Sequence, residues 1–401
     1  MREFISYLEA RSIVLEHVPT LDIEKVPLDA ALGRTLAQAV ESGELIPPFD
    51  NSAMDGFVVR SSDVRKPGVE LPVVGTIAAG DDAEMPLTSG TCMRIMTGAP
   101  IPDGADAVIP VEQADVDGTR VRFRIAAENP GKLIRRAGEN VKIGDRVLEP
   151  GLRITPPIIG ILATLGYASV DVARRPVIGV IATGNELVDT SETPGPGQIR
   201  DANGPVLAAQ VATAGGQVDG PDRVGDNREL LRRTLESKAS ADLLVVSGGV
   251  SMGEFDFVRE ELEEIGFEPL FWKVRQKPGK PILFGMIEQT PVFGLPGNPV
   301  SASVCFEQYV RPAVATMLGR SEISPPLEKA VLDEDVSKRA GLHHFVRGRL
   351  RYADVLRVAP TGPQGSHISH SLVIADCLIH FPEDMADPRL GTQVTVERLR
   401  W

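Results

Sequence analysis

Two apolar stretches decide the fold: Pro176–Thr183, which reads PVIGVIAT, and Asp242–Ser247, which reads DLLVVS. Each is a continuous run of strand-forming residues, as expected for a strand that is buried on both faces of a sheet. Helical patterns and further strand-like runs alternate between and after these two stretches. That alternation predicts a parallel, doubly wound α/β domain with right-handed crossovers.

The remaining elements of this domain follow from the same patterns. Further strands are predicted at 217–223, 269–275, 282–284 and 291–294. Helices are predicted at 204–214, 227–239, 256–265 and 300–318. The pair Pro325-Pro326 marks a linker, so the predicted α/β domain spans residues 175–325.

The chain on either side of the α/β domain has a different texture. Short strand-like runs at 71–77, 91–96, 107–111 and 120–125, separated by glycine, proline and aspartate, predict a β-rich domain. Strand-like runs at 329–336, 343–351, 354–359, 370–380 and 393–399 predict a small C-terminal β-barrel or sandwich. Helices are predicted at 4–18, with Phe4, Leu8, Ser12 and Leu15 on one stripe, at 28–40, with Leu28, Leu32 and Leu36, and at 156–165.

Composition excludes several classes of protein. The 401 residues carry a formal net charge of −13, which argues against a nucleic-acid protein that binds through a basic face. Acidic residues soon follow Met1, so no signal peptide is expected, and the longest apolar stretch, Ile158–Val170, is too short for a membrane span. Three widely spaced cysteines show no paired metal spacing. We therefore expect a cytoplasmic protein without a membrane span.

Three glycine-containing loops follow buried strands of the predicted sheet: Thr183–Leu187, Ser247–Asp256 and Gly294–Ser301. In open α/β sheets, ligands bind beyond the carboxyl ends of the strands. Glycine lets backbone N–H groups converge on an anion, and a helix N-terminus adds a favourable dipole. A single such loop is commonly only a turn, but three at one edge favour a phosphate site.

Two lysines lie in the segment Lys277-Pro278-Gly279-Lys280-Pro281. The prolines restrict the chain, so the two ammonium groups are presented with limited freedom, and at an effective dielectric of 20 a charge pair about 4 Å apart is worth about 4 kcal/mol. The segment could hold an oxyanion, or it could be a solvated surface loop.

Three carboxylates, Glu186, Asp226 and Asp256, fall at the start of loops or helices on this same edge. Mg²⁺ prefers such oxygens together with ligand phosphates. The alternative is helix capping, because Asp226 begins a capping-box-like sequence and Asp256 could cap the helix after it. Both roles can coexist.

Long segments of the chain resemble a known family. They are 49–57 (FDNSAMDGF), 94–100 (RIMTGAP), 102–106 (PDGAD), 197–203 (GQIRDAN), 247–256 (SGGVSMGEFD), 277–281 (KPGKP), 294–303 (GLPGNPVSAS) and 364–366 (QGS). In this order they resemble the signatures of molybdopterin molybdenumtransferases and of the gephyrin E domain.

The resemblance implies an architecture and a reaction. It implies an elongated domain built from 1–47 and 139–174, a β domain at 48–138, a molybdopterin-binding α/β domain at 175–325 and a C-terminal β-barrel at 326–401. It also implies a homodimer, a reaction of adenylylated molybdopterin with molybdate and Mg²⁺ that releases AMP, and the molybdopterin adenylyltransferase as a candidate protein partner.

The resemblance also implies roles for particular residues. Pterin and phosphates would contact Thr183, Gly184, Ser247, Gly248, Gly249, Ser251, Gly253, Pro296, Gly297, Asn298 and Pro299. Molybdate would lie near Lys277, Lys280, Ser301, Arg347 and Ser366. Glu186, Asp226 and Asp256 would serve the metal and the adenylate. The partner subunit would contribute Asp55, Thr97 and Gly98.

The chain departs from the family pattern at Asn185 and Asn140, where a carboxylate is usual, and at Leu133, where Asn is common. Loss of negative charge could weaken metal or proton handling, which favours the alternative of a gephyrin-like scaffold without full transferase activity. The lysines and the three carboxylates favour the enzyme. A nucleotide-hydrolysing relative that shares only the α/β domain is disfavoured by the match at 49–57.

Overall fold

The computed structural model describes residues 1–238, 240–249 and 257–399. The chain forms two compact units, one made of residues 1–38, 150–160 and 167–401 and the other of residues 39–149 and 161–166. Each unit has its own sheets and its own apolar core, so each is described by itself.

The strands alternate with helices only in the middle of the chain, as predicted. Before residue 175 they are β1 (Arg2–Ile5), β2 (Ile23–Pro27), β3 (Val40–Glu41), β4 (Asn51–Ser52), β5 (Gly56–Val59), β6 (Glu70–Ile77), β7 (Cys92–Ile95), β8 (Ala107–Pro110), β9 (Ala114–Asp117), β10 (Arg120–Phe123), β11 (Ile134–Arg135), β12 (Arg146–Leu148) and β13 (Ser169–Ala173). After it they are β14 (Val177–Thr183), β15 (Leu187–Val188), β16 (Ile199–Arg200), β17 (Gln217–Val224), β18 (Leu243–Ser247), β19 (Phe267–Val274), β20 (Gln276–Lys277), β21 (Leu283–Ile287), β22 (Thr290–Leu295), β23 (Leu327–Leu332), β24 (His343–Tyr352), β25 (Leu356–Pro360), β26 (Cys377–Phe381) and β27 (Gln393–Arg398).

The helices confirm most of the predicted positions. They are α1 (Tyr7–His17), α2 (Pro156–Thr164), α3 (Asn203–Ala214), α4 (Arg228–Ser237), α5 (Val258–Glu264), α6 (Pro299–Cys305), α7 (Arg311–Met317) and α8 (His370–Val373). A π-helical turn at Phe306–Val310 joins α6 to α7, so the predicted helix at 300–318 is one rod. The turn ends two residues before Pro312, which has no N–H to continue the regular hydrogen-bond ladder.

The larger unit is built on a seven-stranded sheet in the order β1-β19-β21-β22-β18-β14-β17. Neighbouring residues of β18 enter different cores: Leu243 and Val245 pack with α1, α3 and the α6–α7 rod, whereas Leu244 and Val246 pack with α4 and α5. Helices therefore cover both faces, which explains the continuous apolar runs and confirms the doubly wound α/β fold.

One strand of this sheet runs against the predicted parallel arrangement. β21 is antiparallel to both β19 and β22. Only Glu288 and Gln289 separate β21 from β22. A two-residue connection can join only antiparallel strands, because a parallel crossover needs a dozen or more residues.

The C-terminal segment of the same unit is the predicted small β-barrel. Its five strands close in the ring β24-β25-β23-β27-β26, since β26 also pairs with β24. The interior holds one apolar cluster that includes Val346, Ile379 and Val396. The strand prediction at 370–380 is wrong in its first half, where the short helix α8 precedes β26.

The smaller unit is β-rich, as predicted, with a six-stranded sheet in the order β8-β5-β7-β6-β10-β9. Phe57 and Phe123 pack edge to face on one side of it, and Val58 and Met93 lie in the cluster on the other. Its glycine- and aspartate-rich connections supply the turns between short strands.

Near the N-terminus, the predicted helix at 4–18 is confirmed, but its start and its buried face are wrong, and the helix predicted at 28–40 is wrong. Helix α1 begins after Ser6, whose side chain accepts the Glu9 N–H, and Phe4 lies in β1 instead. The face of α1 that is buried carries Tyr7, Ala10, Ile13 and Val14. At 28–40 the chain forms only a 3₁₀ turn, Leu28–Ala30, which ends before a left-handed Gly33. Short-range periodicity could not reveal that tertiary strand pairing would replace local helix.

Candidate functional site

The three predicted loops lie side by side at the carboxyl edge of the seven-stranded sheet. β18 is parallel to both β14 and β22 and lies between them. The Thr183 hydroxyl donates to the Ser247 carbonyl at 3.4 Å, and the Gly248 N–H donates to the Leu295 carbonyl at 3.0 Å. The sheet thus brings together loops that are more than 100 residues apart in the sequence.

Gly248 adopts a conformation that a side chain would not tolerate. Its φ is +97°, and a Cβ there would lie 2.5 Å from the Thr183 carbonyl oxygen. On the neighbouring loop, a Cβ on Gly297 would come within 3.7 Å of the Gly248 Cα. The Gly248–Gly249 backbone can therefore approach Thr183 and Gly297 at the same time, which is the close approach that an anion-binding loop needs.

The helix rod begins directly after the third loop. Pro299 occupies its first turn, and the side chain of Asn298, at the N-cap position, makes no capping hydrogen bond. Gly297 and Asn298 are exposed. The start of this rod therefore faces solvent next to the Gly248 loop, where its dipole favours an anion.

The lysine segment is anchored against the same helix rod. Pro278 and Gly279 are buried, and a Cβ on Gly279 would lie 2.3 Å from the Cys305 sulfur. The fully buried Gln276 side chain donates to the carbonyls of Pro278 and Gly279, at 3.1 Å and 3.3 Å. Lys277 and Lys280 are exposed on either side of this fixed turn. The turn is therefore anchored by its buried residues, while its two lysines are exposed as in the surface-loop alternative.

The two lysines have different surroundings. Lys277 is paired in register with His344 of the barrel strand β24. The Lys280 ammonium lies 5.0 Å from the centre of the Phe4 ring, a cation–π contact. Neither ammonium forms an ion pair within the described residues.

Arg347 is a buried cation on the outer side of the barrel. It is 1% exposed; its Nε donates to the Ser371 hydroxyl at 3.1 Å and its Nη2 to the Gly365 carbonyl at 3.2 Å. Burial lowers its pKa to about 10, so it is still charged at neutral pH. No carboxylate pairs with it among residues 1–238, 240–249 and 257–399.

A short loop connects Arg347 to the helix rod. The Gln364 side chain accepts from the Arg347 N–H at 2.9 Å and donates to the Arg347 carbonyl at 3.2 Å. Two residues later, the Ser366 carbonyl accepts the Val300 N–H at 3.2 Å. The segment Gln364–Ser366 thus links Arg347 to Val300 at the start of the helix rod.

Two of the three predicted metal carboxylates lie in the described residues. Glu186 is exposed and Asp226 is half-buried, and neither side chain is part of an ion pair of the described chain. The capping interpretation of Asp226 is wrong, because Asn227 caps α4 through its side chain, which accepts the Leu230 N–H at 2.9 Å. Asp256, Ser251 and Gly253 lie outside the described residues.

Two asparagines connect these loops to one another. Asn185 Oδ1 accepts the Asp226 N–H at 2.8 Å. Asn203 Nδ2 donates to the Ser247 hydroxyl at 2.9 Å and to the Gly297 carbonyl at 2.7 Å. The sequence reasoning quoted Asn203 only as part of a matching segment and did not assign it a role. Its position one residue before Gly204, at the start of α3, was the available signal.

The smaller unit holds the remaining predicted site residues close together. Asp55 accepts hydrogen bonds from the Thr97 N–H at 2.6 Å and from the Thr97 hydroxyl at 2.7 Å. Those bonds, backbone first, hold the pKa of Asp55 below its usual value. Gly98 is left-handed, with its N–H bonded to the Ser52 carbonyl at 2.8 Å. Asp55 is an exposed, ionised carboxylate in a fixed orientation.

Glycine loops, an open helix start and cations that form no ion pair in the described part of the chain are the features of an α/β protein that binds an anionic ligand. Comparison with known proteins narrows that class. Residues 5–166 match the MoeA N-terminal region (domains I and II), 179–316 a probable molybdopterin binding domain, and 329–399 the MoeA C-terminal region (domain IV). The chain belongs to the molybdopterin molybdenumtransferase family.

Full-length relatives support this assignment. The chain is 38% identical over 396 residues to the molybdopterin molybdenumtransferase of Haemophilus influenzae, covering 97% of each chain. It is 37% identical over 403 residues to molybdopterin molybdenumtransferase 2 of Mycobacterium tuberculosis, covering 98% of each. The crystal structure of the molybdopterin biosynthesis protein MoeA from Pyrococcus horikoshii is 30% identical, with a TM-score of 0.85 and coverage of 99% and 100%.

Within the described residues, no helix has both the length and the apolar composition that crossing a bilayer requires.

Proposed function

We propose that this chain inserts molybdate into adenylylated molybdopterin and releases AMP, the last step in making the molybdenum cofactor. The observation that carries the proposal is the contact between the Gly248 and Gly297 loops at a helix start to which the segment beside the buried Arg347 is also hydrogen-bonded. These groups suit a substrate that carries phosphates and reacts with an oxyanion. The names of the full-length relatives support the same reaction.

The loops after β14, β18 and β22 would hold the pterin nucleotide. The backbone N–H groups of the half-buried Gly249 and the exposed Gly297 would face its phosphates, and Ser251 and Gly253 would extend the first of these loops. Lys277, Lys280, Arg347, Ser301 and Ser366 would surround the molybdate dianion. The protein thereby places two anions together and offsets their mutual repulsion, which is the main barrier to bringing them into contact.

The donor set at this edge fits Mg²⁺. Glu186 and Asp226 present oxygen atoms that no described cation neutralises, and Asp256 would add a third carboxylate. A hard divalent cation is commonly bound by one or two carboxylates together with substrate phosphates. Bound Mg²⁺ would supply positive charge beside the phosphoanhydride that is cleaved. The chain's own contribution is to orient these carboxylates, with Asn185 fixing the backbone at Asp226.

A homodimer would complete the site. Asp55, with Thr97 and Gly98, would face the α/β domain of the partner subunit, and its fixed carboxylate would contact the substrate there. The domains would be those proposed from the sequence, with an elongated domain at 1–47 and 139–174. The chain would work in the cytoplasm, with the molybdopterin adenylyltransferase as the supplier of its substrate.

The test is incubation of the purified protein with adenylylated molybdopterin, molybdate and Mg²⁺, with AMP release followed by chromatography. We expect AMP release that requires molybdate and stops when EDTA removes the divalent cation. Release that is indifferent to EDTA would remove the metal role and leave the transferase intact. Absence of AMP under all conditions would favour the gephyrin-like scaffold.

A further inference from the structure

Two side-chain amides span the four loops at the carboxyl edge of the sheet. Asn203, at the start of α3, bonds the loops after β18 and β22 through Ser247 and Gly297. Asn185, in the loop after β14, bonds the loop after β17 through the Asp226 N–H. With the Thr183–Ser247 bond between them, the contacts run without interruption from β17 to β22.

The chemistry of the partners fixes which end of each amide is used. A carbonyl oxygen only accepts, so the group of Asn203 that faces Gly297 must be its NH₂. A backbone N–H only donates, so the group of Asn185 that faces Asp226 must be its oxygen. The orientation of each amide therefore follows from the chemistry of its partner. Asn203 acts as a double donor and Asn185 as an acceptor.

From this geometry we infer that Asn185 and Asn203 are positioning residues for the transferase reaction. Asn203 holds the Gly248 and Gly297 loops at the spacing that a phosphate requires, and Asn185 holds the Asp226 carboxylate in place. The inference rests on the proposed function. Neither side chain contacts the reacting atoms; each acts through the loop that it fixes.

The inference explains why Asn at position 185 is compatible with activity. Aspartate and asparagine both present an oxygen to the Asp226 N–H, so the departure from the family pattern keeps the contact that the structure uses. The expectation that Asn185 weakens the site considered its charge alone. Position 203 is different, because a carboxylate there cannot donate to the Ser247 hydroxyl oxygen or to the Gly297 carbonyl.

Aspartate variants at the two positions therefore have opposite expected effects. Asn185→Asp keeps the acceptor and should retain kcat/KM within about twofold, whereas Asn185→Ala should lose about tenfold, since the Asp226 N–H loses the partner that holds its loop in place. Asn203→Asp should lose about 100-fold, more than Asn203→Ala, because it places an anion against a carbonyl oxygen and beside the phosphate site. Lowering the pH should restore part of the kcat/KM that Asn203→Asp loses, since a protonated carboxyl can donate one hydrogen bond.

The experiment compares these four variants with wild type by AMP release, by thermal melting and by hydrogen exchange of the Asp226 amide. Exchange should quicken in Asn185→Ala and return to the wild-type rate in Asn185→Asp. The control is Asp242→Ala, which removes a similar side-chain bond to a backbone N–H at the opposite edge of the same sheet. It should lower the melting temperature and leave kcat/KM unchanged.

The positioning role and the proposed function are contradicted by different results. If wild type releases AMP but Asn203→Asp matches it, or Asn185→Asp is as damaged as Asn185→Ala, the positioning role is wrong and the transferase stands. If wild type releases no AMP, the proposed function is wrong, and the role in that reaction falls with it.

Discussion

Charged groups at the amino edge of the seven-stranded sheet differ from the predicted site charges at its carboxyl edge in whether they form ion pairs. At the amino edge, Arg174 binds Asp242 through two hydrogen bonds of 2.8 Å and 2.7 Å, and Asp242 also accepts the Val177 N–H. Lys238 there contacts both Asp219 and Asp222 at 2.6 Å. At the carboxyl edge, Lys277, Lys280, Glu186 and Asp226 take part in no ion pair of the described residues.

This difference in pairing indicates which charged groups stabilise the fold and which are available for function. A part-buried charged group that already forms an ion pair with another residue of the chain is not available to bind a ligand. An unpaired charge contributes little to the free energy of folding, and a buried one opposes it. Charges that are unpaired within the described residues and lie beside glycine loops are therefore available to a ligand.

Among substitutions at the carboxyl edge, Gly248→Ala should cause the largest loss of stability and activity. The added methyl would meet the Thr183 carbonyl at 2.5 Å in a left-handed residue. We expect a loss of about 2 kcal/mol or more in unfolding free energy and no detectable AMP release. Denaturant melts and the AMP assay measure both. Gly297→Ala, where the nearest atom is 3.7 Å away, should keep wild-type stability; a similar destabilisation in it would contradict the steric argument.

Arg347→Met tests a cation that is buried without a charged partner. We expect the KM for molybdate to rise and kcat/KM to fall about 100-fold, because positive charge preorganised beside an anion is lost. Stability should change by only about 1 kcal/mol, since methionine fills similar space and no carboxylate is left alone. Arg349→Met, an exposed position on the same strand, is the matched control. Equal kinetics in the two variants would argue against a molybdate role.

Asp226→Asn separates metal binding from helix structure. Asn227 caps α4 and the Asp226 N–H still reaches Asn185, so the melting temperature should not change. AMP release should fall about tenfold or more, with a higher Mg²⁺ requirement, because one charged ligand of the cation is neutralised. A Mg²⁺ titration that overlays that of wild type would remove Asp226 from the metal site.

Asp242→Ala should lower stability without changing activity, because Asp242 lies at the amino edge of the sheet. Loss of the bonds to Arg174 and to the Val177 N–H should cost about 1–3 kcal/mol of unfolding free energy at pH 7, with unchanged kcat/KM. Burial opposes ionisation of Asp242, yet its bonds to Arg174 and Val177 bring its pKa below 3.8. Its contribution is therefore present above about pH 4 and disappears as the pH falls through the folded-state pKa. The stability difference from wild type should shrink in acid; a constant difference would show that the ion pair is not its source.

Much of the fold could be predicted because a strand that is buried on both faces of a sheet is a continuous run of apolar residues. The runs at Pro176–Thr183 and Asp242–Ser247 indicated central strands, and the glycine loops after them indicated the ligand edge. Prediction failed where the structure depends on distant partners. Phe4 joins the sheet as part of β1, beside β19, and nothing within a helix-length window around it indicates a partner that is more than 260 residues away.

The site was predictable to a similar extent. Glycine, lysine and carboxylate positions were found because their chemistry is visible in the residue type. The role of Asn203 and the partners of Arg347 could not be predicted, because the bonds of an amide or a hydroxyl depend on the atoms that folding places beside it. Helix capping was the alternative role for Asp226, but the next residue, Asn227, is the one that caps α4.

The sequence by itself determined the family, the alternation of strands and helices, and the stock of anion-binding groups, since these depend on residue identity and local spacing. Only the tertiary structure decided that a buried Arg347 has no charged partner within the described chain, that the Gly248 and Gly297 loops touch, and that one asparagine donates while the other accepts. Hydrogen bonds and ion pairs are directional and act over a few ångströms. Whether a polar group is satisfied therefore depends on neighbours that folding brings in from remote parts of the chain.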